Sequence, residues 1–135
     1  MTDKELYIEA KKAMENAYTP FSHFNVGAAL LTEDDEVFTG CNVENSSLGA
    51  TICAERTACV KAVSVGKRRF KKIAVVCNDG AVTPCGICRQ FLFEFAPRLT
   101  VVTGSDEDHL REYTLDQLLL DGFRLEDEKH SIGVD

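Results

Sequence analysis

Two short segments carry the side chains able to do chemistry. The first is Thr51-Ile52-Cys53-Ala54-Glu55-Arg56-Thr57-Ala58 and the second is Thr83-Pro84-Cys85-Gly86-Ile87-Cys88-Arg89-Gln90. Cys85 and Cys88 are three apart, so at the start of a helix both thiols can converge on one metal. Cys53 can supply a third sulfur. Three protein ligands with one open position is the arrangement of catalytic zinc, whereas four closed ligands mark structural zinc. Glu55 can then exchange protons with water at the open position without binding the metal. One difficulty stands: residues two apart on a helix face different sides, which separates Cys53 from Glu55. It eases if the metal lies beyond the helix's N-terminal end, where the first turn is approachable from several sides.

Charge sets a further condition. Three thiolates around a dication leave the centre formally negative, which blunts its power to acidify water. Helix N-termini aimed at the sulfurs withdraw some of that charge. Arg56 can add to this as an outer donor to a thiolate. Plainer readings compete. A lone C-x-x-C is often a structural zinc knuckle or a redox pair. A redox pair leaves Cys53 and Glu55 without a role. A structural site needs a fourth ligand, which Cys41, Cys59 or Cys77 can supply, although each suits burial as a small apolar residue. His23, His109 and His130 lack metal-ligand spacing and read as surface residues.

These segments must be held by regular elements. Thr2 and Glu5 have capping-box spacing, and Leu6, Ala10, Ala13, Met14 and Ala17 recur with helical period. This predicts a helix from about Lys4 to Tyr18. Val26 to Leu31 and Val37 to Cys41, separated by Glu33-Asp34-Asp35-Glu36, predict an antiparallel hairpin. A second helix is expected from Ile52 to Val65, stopped by Gly66. Ile73 to Val76 reads as a buried strand, Gly86 to Phe95 as a third helix and Leu99 to Val102 as another strand. A short helix from about Leu115 to Leu120 closes the series, with Thr114 and Gln117 as a second capping box. The order is that of an α/β protein: one domain over residues 1–135, with a mixed sheet of about five strands and helices on both faces. In such sheets ligands gather where strand ends meet helix starts.

With these motifs in place, the chain resembles the zinc-dependent cytidine deaminases of the small homotetrameric type. C-A-E followed by P-C-x-x-C is the signature of nucleobase deaminases, with cysteine in place of the first histidine. Pro20-Phe21-Ser22-His23-Phe24-Asn25-Val26-Gly27-Ala28-Ala29 and Gly40-Cys41-Asn42-Val43-Glu44-Asn45 extend the similarity over nearly the whole chain. The resemblance implies a three-layer cytidine-deaminase-like fold and one zinc per subunit, on Cys53, Cys85 and Cys88. It also implies hydrolysis of cytidine and deoxycytidine at C4, with Glu55 as proton shuttle. Phe24 would pack on the pyrimidine, and Asn42 and Glu44 would bind ribose hydroxyls. The Ala54 backbone would meet the base carbonyl, and carbonyls near Pro84 the departing amine. Phe123 would close a pocket across a subunit interface, giving a homotetramer with shared sites. Two departures concern affinity and interface only. Leu48 stands where many relatives have an aromatic residue, and Leu118-Leu119-Leu120-Asp121-Gly122-Phe123 stands where they often read L-L-P-x-x-F.

Bulk properties narrow the alternatives. The 135 residues are 44% hydrophobic and 27% charged, an ordinary soluble balance, with a net charge of −7. An acidic chain repels phosphate backbones, which disfavours a nucleic-acid substrate. The basic run Lys67-Arg68-Arg69 with Lys71-Lys72 reads as a solvated surface after a helix end. Charge appears at once in Met1-Thr2-Asp3-Lys4-Glu5 and no apolar stretch can span a bilayer, so no export signal or membrane partner is expected. Cytoplasm is the natural compartment for six cysteines without an export signal. Two other readings remain: a deaminase of a cytosine-bearing antibiotic such as blasticidin, and a non-catalytic zinc-stabilised binding module.

Overall fold

The continuous apolar run from Val26 to Leu31, extended by Thr32, forms a strand buried along its whole length, β1 (Val26–Thr32). Both of its faces are covered, which explains why its sequence does not alternate. The computed structural model describes residues 1–126. Around β1 stand β2 (Val37–Cys41), β3 (Phe70–Cys77), β4 (Thr100–Asp106) and β5 (His109–Thr114), in the order β2-β1-β3-β4-β5. The helices are α1 (Asp3–Met14), α2 (Ala54–Ser64), α3 (Gly86–Phe93) and α4 (Leu115–Leu118), with a 3-10 turn at Leu48–Ala50. β1 runs antiparallel to both β2 and β3, β3 and β4 are parallel across α3, and β5 returns antiparallel to β4. The sheet is therefore mixed, as the order of elements predicts.

The period of two divides the core. Ala29, Leu31, Ala74, Val76 and Val102 meet Leu6, Tyr7 and Ala10 of α1 on one face. Ala28, Leu30, Ile73, Val75 and Val101 meet Ala58, Cys59, Ala62 and Leu92 of α2 and α3 on the other. Two glycines set how closely the layers approach. A Cβ at Gly27 would lie 2.0 Å from the Ala10 carbonyl oxygen, and one at Gly40 2.5 Å from that of Ala54. The first turn of α2 rests directly on β2 for that reason.

Several element ends differ from expectation, two of them because a backbone partner intervenes. α1 stops at Met14, short of Tyr18, because Tyr18 donates its N–H to the Asn42 carbonyl and accepts from the Glu44 N–H. α2 begins at Ala54, after Ile52, because Ile52 exchanges both backbone bonds with Val43. α3 ends at Phe93 and α4 at Leu118, both earlier than their apolar patterns suggest. β3 is longer, starting at Phe70, and β4 runs from Thr100 to Asp106. The fifth strand, β5, has no apolar signature. It is a charged edge strand that contributes mostly backbone, as exposed edges commonly do. The basic run lies at the surface as expected, with Arg68, Arg69 and Lys71 exposed, and it carries surface ion pairs: Lys67 with Asp34 and Glu36, and Lys71 with Asp35.

Candidate active site

The site forms where β1 starts, β2 and β3 end, and α2 and α3 begin. β1 is antiparallel to β3, so Val26 lies beside Cys77 and the start of one strand meets the end of the other. Cys53 is the N-cap of α2 (φ −73°, ψ 156°) and Cys85 the N-cap of α3 (φ −67°, ψ 169°), both extended. Neither makes a side-chain capping hydrogen bond. The spacing difficulty between Cys53 and Glu55 therefore disappears, because Cys53 precedes the helix while Glu55 lies within its first turn.

The Cys53 and Cys85 sulfurs are 3.8 Å apart, and all three sulfurs of Cys53, Cys85 and Cys88 lie within 4.8 Å of one another. Two sulfurs each ~2.3 Å from a tetrahedral zinc stand ~3.8 Å apart, so the donor set fits that ion. Among the described residues no other His, Cys, Asp or Glu joins the cluster. All six cysteines are free, and Cys59 and Cys77 are buried in the core. His109 pairs with Asp106 at the surface, His23 is exposed, and His130 lies outside the described residues.

Electrostatics favours anionic sulfur here. The Cys88 thiol, and after it the Arg56 guanidinium, hold the Cys53 thiol well below its ordinary value. Cys88 is pushed up in return, by Cys53 first and by burial. Arg56 Nη2 lies 3.3 Å from the Cys53 sulfur. Glu55 is only 4% exposed, and burial pushes its carboxyl up to about 7. The Cys53 thiolate adds to that rise and Arg56 opposes it. A dication on the sulfurs would draw it down again.

A cavity of about 160 Å³ opens beside the sulfurs and gathers Phe24, Asn42, Cys53, Ala54, Glu55 and Cys85, six residues singled out in the sequence. Phe24 is 39% exposed. Asn42 is braced: its Oδ1 accepts from the Val26 N–H at 2.9 Å and its Nδ2 donates to the Phe24 carbonyl at 2.7 Å. Cys88 and Arg56 lie behind the lining. Glu44, Pro84 and Phe123 are not in the lining of this cavity. The Glu44 carboxylate accepts from the N–H groups of Phe21 and Ser22 and from the Ser22 hydroxyl, so in the single chain it anchors the loop before Phe24. Pro84 is buried, its carbonyl taken by Arg89. Phe123 is 52% exposed, its backbone bonded to Gln90. Val26, Thr51, Val82 and Thr83 also line the cavity and had no signal in the sequence as site residues. Val26 reads as an ordinary strand residue, whereas Thr51 and Thr83, each at the head of a chemistry-bearing segment, could have been flagged.

Residues 1–104 match the model of the cytidine and deoxycytidylate deaminase zinc-binding region. The chain belongs to that family. It is 48% identical over 129 residues to a cytidine deaminase of Sporosarcina psychrophila, covering 94% of this chain and 95% of that one. A cytidine deaminase of Halalkalibacterium halodurans is 47% identical, with 93% and 97% covered. The crystal structure of cytidine deaminase from Burkholderia pseudomallei superposes with a TM-score of 0.86 at 47% identity, covering 91% of this chain and 100% of that one. Zinc is the cofactor that this family region and the three-sulfur donor set share.

Proposed function

We propose that this protein is a hydrolytic deaminase that converts cytidine and deoxycytidine to uridine and deoxyuridine, in pyrimidine salvage. The observation that carries the reading is one cavity holding cysteine sulfurs from two helix N-termini beside a buried carboxyl, Glu55. Cys53, Cys85 and Cys88 would hold zinc, which when bound supplies a Lewis acid that acidifies water. Glu55 takes a proton from the attacking water and delivers it to N3, making C4 the better electrophile. It then takes the remaining proton of that water, now a hydroxyl on C4, and passes it to the amino group, which leaves as ammonia as the C4 carbonyl forms. Arg56 offsets thiolate charge through Cys53. Phe24 packs against the pyrimidine, Asn42 and Glu44 meet the ribose, the Ala54 backbone meets the base carbonyl and a backbone carbonyl near Pro84 meets the amine. Glu44 Oε2, which accepts only from the Ser22 hydroxyl, and the Asn42 amide keep hydrogen-bonding capacity beyond their present partners.

The whole chain acts as a single domain within a homotetramer. The exposed side chains of Phe123, Leu48, Ile87 and Leu120 support an interface, and Phe123 would serve a partner's pocket. No described helix is long and apolar enough to cross a membrane; the cytoplasmic role rests on six cysteines in a chain whose sequence reads as lacking an export signal. A closed four-thiolate binding module is not favoured, since no fourth ligand joins the cluster among the described residues. The test is ammonia release from cytidine, deoxycytidine, cytosine, CMP and blasticidin by the zinc-loaded protein. Release from the two nucleosides is expected. Release from blasticidin alone, or from none, overturns the reading.

A further inference from the structure

α3 grips two other parts of the chain through adjacent side chains. Arg89 Nε donates to the Pro84 carbonyl at 2.6 Å and its Nη2 to Thr83 Oγ1 at 3.1 Å. Its Nη1 reaches the Leu118 carbonyl at the end of α4, at 2.6 Å. Gln90 Nε2 donates to the Phe123 carbonyl at 2.7 Å, and Gln90 Oε1 accepts from the Phe123 N–H at 3.4 Å. Between those two anchors the chain turns through Asp121 at φ 55°. Gly122 packs so tightly that a Cβ would lie 3.0 Å from the Phe93 ring.

We propose that Arg89 is a positioning residue, joining the Thr83-Pro84 loop that leads into Cys85 to the segment that carries Phe123. A guanidinium suits the task because its planar fork presents five fixed donors, enough for three acceptors on two segments. A lysine ammonium is a point charge and cannot span them. Thr83 lines the cavity and Cys85 follows Pro84, so the same contact sets one cavity wall and the approach of one sulfur. Any shift of the Leu118–Phe123 segment is thereby transmitted to the loop before Cys85. Arg89 touches neither substrate nor metal in this account. It acts through Thr83, Pro84 and Leu118. The effect on turnover rests on the proposed deaminase activity.

The experiment compares wild type with Arg89→Ala, Arg89→Lys and Thr83→Val, using three readouts. With cobalt loaded in place of zinc, the thiolate-to-cobalt absorption bands should shift in both Arg89 variants. Amide exchange over residues 118–123 should quicken by roughly tenfold, the equivalent of one lost charge-assisted hydrogen bond. The kcat/KM for cytidine should fall by about 10- to 100-fold, the range for outer partners of metal ligands. Added ethylguanidinium should raise it in Arg89→Ala, while Arg89→Lys stays low. Unchanged cobalt bands and unchanged exchange, with turnover tracking only the folded fraction, would overturn the proposal. If Arg89→Ala does not fold, Arg89→Lys and Thr83→Val decide by the same spectra and exchange. Neither of those readouts needs turnover, so a wild type that releases no ammonia from cytidine sinks the deaminase reading and leaves Arg89 still decidable.

Discussion

α1 and α2 begin in opposite ways. At the start of α1 the Thr2 hydroxyl accepts from the Glu5 N–H at 3.1 Å, and the Glu5 carboxylate accepts from the Thr2 N–H at 2.9 Å. The helix satisfies its own first turn. At the starts of α2 and α3 the N-cap is a cysteine that makes no capping bond, and its sulfur joins the three-sulfur cluster instead. Unsatisfied first-turn donors and their partial positive charge are then left to act on anionic sulfur. A helix start serves either the helix or a ligand, and this chain uses both kinds.

The largest expected effect comes from exchanging one kind of start for the other. Serine caps helices well and ligates zinc poorly, so Cys85→Ser should drop turnover below detection and release zinc on dialysis. Its effect on stability should change sign with metal. Stripped of zinc, the variant should gain about 1 kcal/mol from the new cap. With zinc at a thousandfold excess over its dissociation constant, wild type should instead lead, since ligation alone adds ~4 kcal/mol. Chemical denaturation with and without zinc reads both signs. A variant less stable in both states would mean that the Cys85 position needs more than a cap.

Glu55→Gln keeps shape and removes the proton shuttle from the first turn of α2. Turnover should fall by about 10²- to 10⁴-fold while zinc content stays at the wild-type level. Zinc analysis beside an ammonia assay separates this outcome from metal loss. Near-normal turnover would reject Glu55 as shuttle.

The same contrast explains what could be read in advance. The capping boxes at Thr2 and Thr114 are legible because donor and acceptor are neighbours in sequence. So are the sheet's central strands, since burial on both faces demands unbroken apolar runs such as Val26–Leu31. Of the cavity residues, Cys53, Glu55 and Cys85 are legible because their types and spacing suit one chemistry, whereas Phe24, Asn42 and Ala54 are legible only through the family resemblance. The start of α2 was not, because Ile52 is drawn out of the helix by Val43, a partner remote in sequence. β5 was not, because an edge strand needs backbone pairing and little apolar pattern. Glu44 read as a ribose ligand, yet its bonds to Phe21 and Ser22 depend on a loop whose path no local pattern specifies.

A smaller effect concerns pH in the metal-stripped chain. Glu55 titrates near 7 when folded, against an ordinary value of 4.5. A raised carboxyl favours folding while protonated, so its contribution is full below about 4.5 and is lost as pH rises through about 7. Subtracting the stability of Glu55→Gln from that of wild type should therefore give a difference that falls across that window. Zinc should flatten it by drawing the carboxyl down. A flat difference in the stripped protein would show that water reaches Glu55 freely.

The smallest effect lies at the self-satisfied start. Thr2→Ala removes the hydroxyl that accepts from Glu5, and an N-cap of this kind costs about 1 kcal/mol on replacement by alanine. In a domain of this size that is a fall of a few degrees in Tm. kcat/KM for cytidine should not move, because α1 packs on the face of the sheet opposite α2 and α3, through Leu6, Tyr7 and Ala10. Paired melting and kinetic measurements make the point quantitative. A loss of turnover without a loss of Tm would mean that α1, through its close approach to Gly27 at the start of β1, takes part in shaping the cavity that Val26 lines. The separation of helix starts into structural and ligand-facing kinds would then have to be redrawn.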